Sequence, residues 1–292
     1  MKAYLAPAIF VILWSTGFIG AKFGLPYAEP FTFLFIRFLI SFLVLSLLAM
    51  YWKSGLPRER GDLIKITIAG LLLHAGFLGG VFNAINLGMS AGLTALVMGL
   101  QPILTSIFAQ QILKEKVLAK QWLGLFLGFM GLIMVLGEKA FTHQLPSTLA
   151  AIAVLWALFS VTYGTIYQKF YCSNMPVLSS TAIQYGATSL VMLTGMLFFE
   201  TSSIQWTYEF IFAMTWLILF LSVGAILLLL YLIRHYTASR VTSLFYLVPP
   251  VTAIQAFLFL DEELGLISIL GMLIVAVGVF IVIQPAGLLK ST

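Results

Sequence analysis

Two stretches decide the reading of this chain: "GLQPILTSIFAQQILKEK" at 99–116 and "YLVPPVTAIQAFLFLDEE" at 246–263. Each is an apolar run interrupted by proline and closed by charge. Pro102 precedes Glu115 by thirteen residues, and Pro249 precedes Glu262 by the same thirteen. The register extends further. Pro102 and Pro249, Glu115 and Glu262, Gly124 and Gly271, and Gly131 and Gly278 are each 147 residues apart. One element is written twice, yet the first copy ends in KEK and the second in DEE.

Composition points to the solvent that explains this. The 292 residues are 61% hydrophobic and 9% charged, against ~25% charged in soluble domains. Ten apolar segments stand out: 4–24, 30–52, 66–86, 91–112, 119–137, 148–168, 178–198, 208–233, 240–260 and 264–284. Runs of ~20 apolar residues are long enough to cross a bilayer. They should be helices, because hydrocarbon offers backbone groups no other partner.

Counted over alternate loops, twelve lysines and arginines fall on the side of the N-terminus and one, Lys139, on the other. Basic loops stay in the cytoplasm, so both termini are expected there. Span four then ends inside, where KEK fits, and span nine ends outside, where DEE fits. Five helices per copy is an odd number, so the second copy enters the membrane inverted. The expected fold is an all-α integral membrane protein of ten transmembrane helices. It comprises two inverted five-helix repeats, 1–142 and 143–292, around a central cavity. Inverted repeats with a site near the midplane are the mark of secondary transporters.

Other classes fare worse. Cys172 is the only cysteine, and no Cys/His cluster suggests a metal. No cofactor is expected. The basic residues are scattered at span ends rather than gathered, which argues against nucleic acid. "GMSAG" at 88–92 matches the G-x-S-x-G of esterases, but that motif needs a strand–turn–helix, whereas here it joins two apolar runs.

The segments "WSTGFIGAKFG" (14–24), "PFTFLFIRFLI" (30–40), "SAGLTALVMGLQPILTSIFAQQILKEK" (90–116) and "TASRVTSLFYLVPPVTAIQAFLFLDEE" (237–263) resemble the EamA-type members of the drug/metabolite transporter superfamily. The resemblance covers nearly the whole chain. It implies ten helices in an inverted 5+5 repeat, export of small metabolites such as amino acids, and a cavity lined by spans one, three, four, six, eight and nine. The repeat is chemically broken at one place: Arg37 in span two corresponds to Gln184 in span seven.

Candidate residues follow from polarity inside spans. Pro102 and Pro249 remove helix hydrogen bonds and are read as gating or cavity-lining kinks, against a static kink. Arg37 is an intramembrane charge, hence a functional candidate by default, against an arginine that holds helix-terminal carbonyls. Lys22 either snorkels to the headgroups or attracts an anion to the outer vestibule. His74 is the mid-span titratable group and the candidate for proton coupling, against a packing histidine. Gln101, beside Pro102, is the favoured polar cavity residue. Trp14, Phe18, Trp156, Tyr163, Tyr231 and Tyr246 fall on cavity-lining spans and suggest an aromatic pocket, against lipid contact. The stripe Gly124, Gly128 and Gly131 serves helix packing or the face of a homodimer.

No carboxylate lies deep in a span. A buried cation needs a partner, so the substrate is expected to be neutral, zwitterionic or weakly anionic, with amino acids first. A nucleotide-sugar or lipid-linked or drug-like substrate on the same fold is the alternative. The partners expected are that substrate and the lipid bilayer.

Overall fold

The structure is a computed structural model that describes residues 2–57, 59–141, 146–260 and 265–283. The side chains of Phe18 and Lys22 and the acidic run Asp261, Glu262 and Glu263 lie outside the described residues. The first half contains α1 (Lys2–Gly24), α2 (Pro30–Tyr51), α3 (Arg60–Gly70), a π-helical stretch (Leu71–Gly76), α4 (Phe77–Asn86), α5 (Ala91–Met98), α6 (Gln101–Ile112) and α7 (Ala119–Phe141). The second contains α8 (Thr148–Cys172), α9 (Val177–Phe199), α10 (Tyr208–Trp216), a second π-helical stretch (Leu217–Ala225), α11 (Ile226–His235), α12 (Ala238–Ser243), a 3₁₀ turn (Leu244–Leu247), α13 (Val248–Leu260) and α14 (Leu266–Ile283). Helices α2, α5 and α7 begin 147 residues before α9, α12 and α14. Among the described residues the one β pairing outside named strands is an isolated bridge between Ala28 and Ile204.

Eight helical segments among the described residues are long and apolar enough to cross a membrane, and Leu5–Gly17 is a shorter apolar helix. The sequence count of ten further takes in the segment 240–260, which is divided here between α12, the 3₁₀ turn and α13.

The expected proline kinks take a different form. Span four is not one helix: α5 stops at Met98 and α6 starts at Gln101, with Pro102 in its first turn. Pro249 likewise sits in the first turn of α13. A proline costs little there, because first-turn N–H groups have no helical partner anyway. The prolines begin helices rather than bend them.

The glycine stripe is used inside the chain. A methyl on Gly124 would lie 2.6 Å from the carbonyl oxygen of Gly278, and one on Gly131 would lie 2.6 Å from that of Gly271. Gly124 meets the copy of Gly131, and Gly131 meets the copy of Gly124, so α7 and α14 cross antiparallel in a self-complementary contact. A methyl on Gly128 would lie 2.6 Å from the ring of Tyr246. Gln121 Nε2 donates to the Val282 carbonyl at 3.2 Å and ties one end of the seam.

Carboxylates tie the two halves together at both ends of the bundle, by helix caps and by a loop contact. At one end, Glu200 accepts from the backbone N–H of Phe31 (2.6 Å) and of Thr32 (2.7 Å) at the start of α2. Glu29 accepts from the Thr201 N–H at 2.8 Å. At the opposite end, Glu115 accepts from the Ala238 N–H at 3.0 Å, at the start of α12, and pairs with Lys169 at 3.5 Å. Lys169 also donates to the carbonyls of Ile233 and Tyr236. Negative charge at a helix N-terminus is favourable because the orphan N–H groups and the helix dipole point at it.

Gly131→Val tests the seam. Its added carbons meet backbone atoms of Gly271 and Val275, which cannot give way. It should cost about 1–3 kcal/mol, read as a lower thermal midpoint of detergent-purified protein. Gly137→Ala, on the same helix with nothing within 4 Å of the added carbon, should leave the midpoint unchanged.

Candidate functional site

A cavity of about 120 Å³ opens among both halves. One wall is aromatic. Trp14 from α1 lies edge-to-face with Phe245 from the 3₁₀ turn, centroids 5.1 Å apart, and Phe77 and Phe82 from α4 also line the cavity. The facing lining is Arg37 and Phe38 from α2, His74 from the first π-helical stretch and Tyr185 from α9. Val161 and Thr165 of α8, Leu221 of the second π-helical stretch, Ile226, Leu229 and Leu230 of α11, and Gln101 of α6 contribute further.

Both π-helical stretches reach the cavity. A π turn widens the helix and leaves carbonyls poorly served. Here neighbours supply the bonds: Ser160 Oγ donates to the Leu72 carbonyl at 3.1 Å, and Tyr185 Oη donates to the Ser222 carbonyl at 2.7 Å. Ser222 Oγ in turn accepts from Arg37 Nε at 2.9 Å. Arg37 therefore holds a hydroxyl of the other half and not the helix-terminal carbonyls expected of a purely structural arginine.

His74 is 3% exposed. Its ring contacts those of Tyr185 (centroids 4.8 Å) and Phe38 (5.9 Å). Gln184 Nε2 donates to Gln168 Oε1 at 2.8 Å, which turns Gln184 Oε1 toward His74 Nε2 at 3.3 Å. An amide oxygen only accepts, so His74 Nε2 carries the hydrogen in this arrangement. Gln184 is the residue that stands 147 positions after Arg37. Arg37 lines the cavity itself, whereas Gln184 reaches it through His74.

Of the candidates read from sequence, the structure brings Trp14, Arg37, His74 and Gln101 together on the cavity. Trp156 (63% exposed), Tyr163 and Tyr231 face outward and are not part of its lining. The reason is helical phase. The lining residues of α8 are Val161 and Thr165, one turn apart, and Tyr163 sits two positions on from Val161, roughly 200° round the helix. Tyr163 stacks on Phe108 at 4.8 Å instead. Tyr246 is buried against Gly128, and its neighbour Phe245 takes the cavity position. Pro102 and Pro249 do not line it either; Pro102 is buried directly after Gln101. Ser90 of the esterase-like stretch caps α5 by accepting from the Leu93 N–H at 3.1 Å, a full structural account of that motif.

Phe38, Tyr185, Val161, Leu221 and Leu229 were not on the candidate list. From the candidates Trp14 and His74 the repeat register leads to two of them, Val161 and Leu221. Adding 147 to Trp14, Phe38, His74 and Phe82 gives Val161, Tyr185, Leu221 and Leu229, all of which line the cavity.

A second, larger space of about 470 Å³ lies at the Glu29 end, lined by Tyr27, Glu29, Ile85, Asn86 and Gln205 among others. Phe82 lines both spaces. It stacks on Phe33 at 6.1 Å, and Phe33 packs edge-on to Phe210 at 6.1 Å.

The sequence profile of the EamA-like transporter family matches residues 1–137 and 148–284. The chain belongs to that family. Over 287 residues it is 28% identical to an uncharacterised transporter of Bacillus subtilis (strain 168), covering 96% of this chain and 91% of that one. Over 282 residues it is 26% identical to a protein of Escherichia coli (strain K12) named a probable amino-acid metabolite efflux pump, covering 94% and 92%. A solved crystal structure superposes with a TM-score of 0.83 at 17% identity over 97% of each chain, which establishes a shared fold. The family is one of membrane-embedded, all-α transporters, so the outward-facing aromatics of this EamA-like chain sit on the surface that meets lipid.

Gln184→Leu tests the polar chain across the site. It strands the His74 N–H and the Gln168 carbonyl together. Leaving buried polar groups unpartnered costs roughly 2 kcal/mol or more, so the thermal midpoint should fall. Gln184→Glu, which keeps an acceptor toward His74, should fall less.

Proposed function

We propose that this EamA-like protein is a secondary transporter of the plasma membrane, the inner membrane in a bacterium, that exports small metabolites. Amino acids and related neutral or zwitterionic compounds come first among its substrates. Transport proceeds by alternating access of two inverted five-helix halves, 1–142 and 143–292, around the central cavity. The observation that carries the reading is the cavity itself: a largely apolar space whose walls come from both halves, with four pairs of lining residues related by 147 positions. The name of the E. coli relative supports the substrate class. The lining of the cavity holds an arginine and no carboxylate, which suits a substrate with no net positive charge.

The two ends supply the gates. The Glu115–Lys169 bridge to the start of α12 spans the halves at the basic end. Phe82, between the cavity and the space at the Glu29 end, is the partition on the other side. The basic end is cytoplasmic by its lysines and arginines, and both termini lie there.

Purified protein in liposomes should exchange labelled amino acids against an internal pool, and a panel screened with and without a pH gradient reads both substrate and coupling. Failure to exchange any amino acid in the panel refutes the substrate class.

Topology is checked separately. Cys172 is buried, so the natural chain should resist maleimide in intact membranes. A cysteine in place of exposed Lys53 should label only from the cytoplasmic side, and one in place of exposed Gln205 only from the outside. Labelling of both from one side contradicts the inverted arrangement.

A further inference from the structure

The cavity holds a charge without a partner. Arg37 is 6% exposed. Its Nε is spent on Ser222 Oγ, and among the described residues neither terminal guanidinium nitrogen bonds to protein and no carboxylate pairs with it. The Phe38 ring, with its centroid 5.9 Å from the guanidinium carbon, lies against the charge. A buried cation without a counter-ion is costly. The cost is relieved when an anion arrives from outside the protein, and the planar fork of two N–H-bearing nitrogens matches a carboxylate in two-point contact.

Gln101 is the second, independent observation. It is 4% exposed and lines the same cavity, and its Nε2 is fully enclosed with no acceptor. Among the cavity's lining residues it alone carries an enclosed polar atom left without a partner, and that atom is a donor. Unsatisfied buried donors are uncommon in native structures. Here an orphan donor and an unpaired cation share one pocket, while the rest of the lining is mainly aromatic and aliphatic, Trp14, Phe77, Phe245, Leu221 and Leu229 among it. One guanidinium neutralises one negative charge, so a phosphate dianion would keep an uncompensated charge in apolar surroundings.

We infer that Arg37 and Gln101 form a carboxylate subsite, and that the substrates are monocarboxylates with an apolar or aromatic body whose amino group is dispensable. The inference rests on the reading of this cavity as the substrate site of a carrier. The amino group is dispensable because the lining holds no carboxylate to receive it, and an ammonium close to Arg37 is repelled.

The full-length protein in nanodiscs is titrated calorimetrically with four probes of one shape: 3-phenylpropanoate, 3-phenylpropanamide, 2-phenylethylamine and L-phenylalanine. The acid should bind ~10-fold or more tightly than the amide, the usual scale for a charge-assisted hydrogen bond. L-phenylalanine should bind more weakly than the acid, because its ammonium adjoins the carboxylate, and the amine should not bind. In Arg37→Gln the acid should fall to the level of the amide. Gln101→Leu should narrow the acid-to-amide ratio and decides the matter where Arg37→Gln does not fold. Equal binding of acid and amide by the natural protein, an unchanged ratio in the folded variants, or preference for the amine overturns the subsite while leaving a carrier cavity. Binding of none of the four overturns the cavity as substrate site together with the subsite.

Discussion

Hydrocarbon gives a peptide group nothing to bond to, and the rest of this structure answers that constraint. Long helices satisfy themselves. At several places where the backbone departs from a regular helix, a side chain from another element supplies a bond. Ser160 serves the first π-helical stretch and Tyr185 the second. Glu200 and Glu115 serve the exposed N–H groups at the starts of α2 and α12. Departures from regularity and the polar side chains that tolerate them therefore come as pairs. The pairs gather where a carrier needs irregular backbone, around the cavity and at its two ends.

This explains the distribution of acids in the chain. Three of the described glutamates, Glu29, Glu115 and Glu200, work as helix caps or inter-half ties. They bind one half to the other at the ends, where a cap is easily made and easily broken, and leave the middle without negative charge. Packing in the middle is instead close and apolar. The Gly124–Gly278 and Gly131–Gly271 contacts bring α7 and α14 near enough that a single methyl would collide with backbone.

The prolines fit the same scheme. A proline inside a continuous helix would leave a carbonyl and a clash in the hydrocarbon. Setting Pro102 and Pro249 at the first turns of α6 and α13 removes both problems. It also puts Gln101, the residue before the proline, at the break itself, where its side chain lines the cavity.

The sequence by itself determined the helical class, the repeat register of 147 residues, the basic asymmetry between loops and the family. Each is written in residue type and spacing, which survive without coordinates. It also marked Trp14, Arg37, His74 and Gln101, because polar or charged residues inside apolar runs are conspicuous. Only the tertiary structure decided which face of each helix meets the cavity. Trp156, Tyr163 and Tyr231 belong to the right spans but the wrong phase, and nearly uniform hydrophobicity around a membrane helix erases the moment that would have told them apart. The π-helical stretches, the Ser222 partner of Arg37 and the Gln184 partner of His74 were likewise out of reach of the sequence. Each joins residues 110 or more positions apart or depends on a local change in helical pitch, and neither leaves a trace in spacing along the chain.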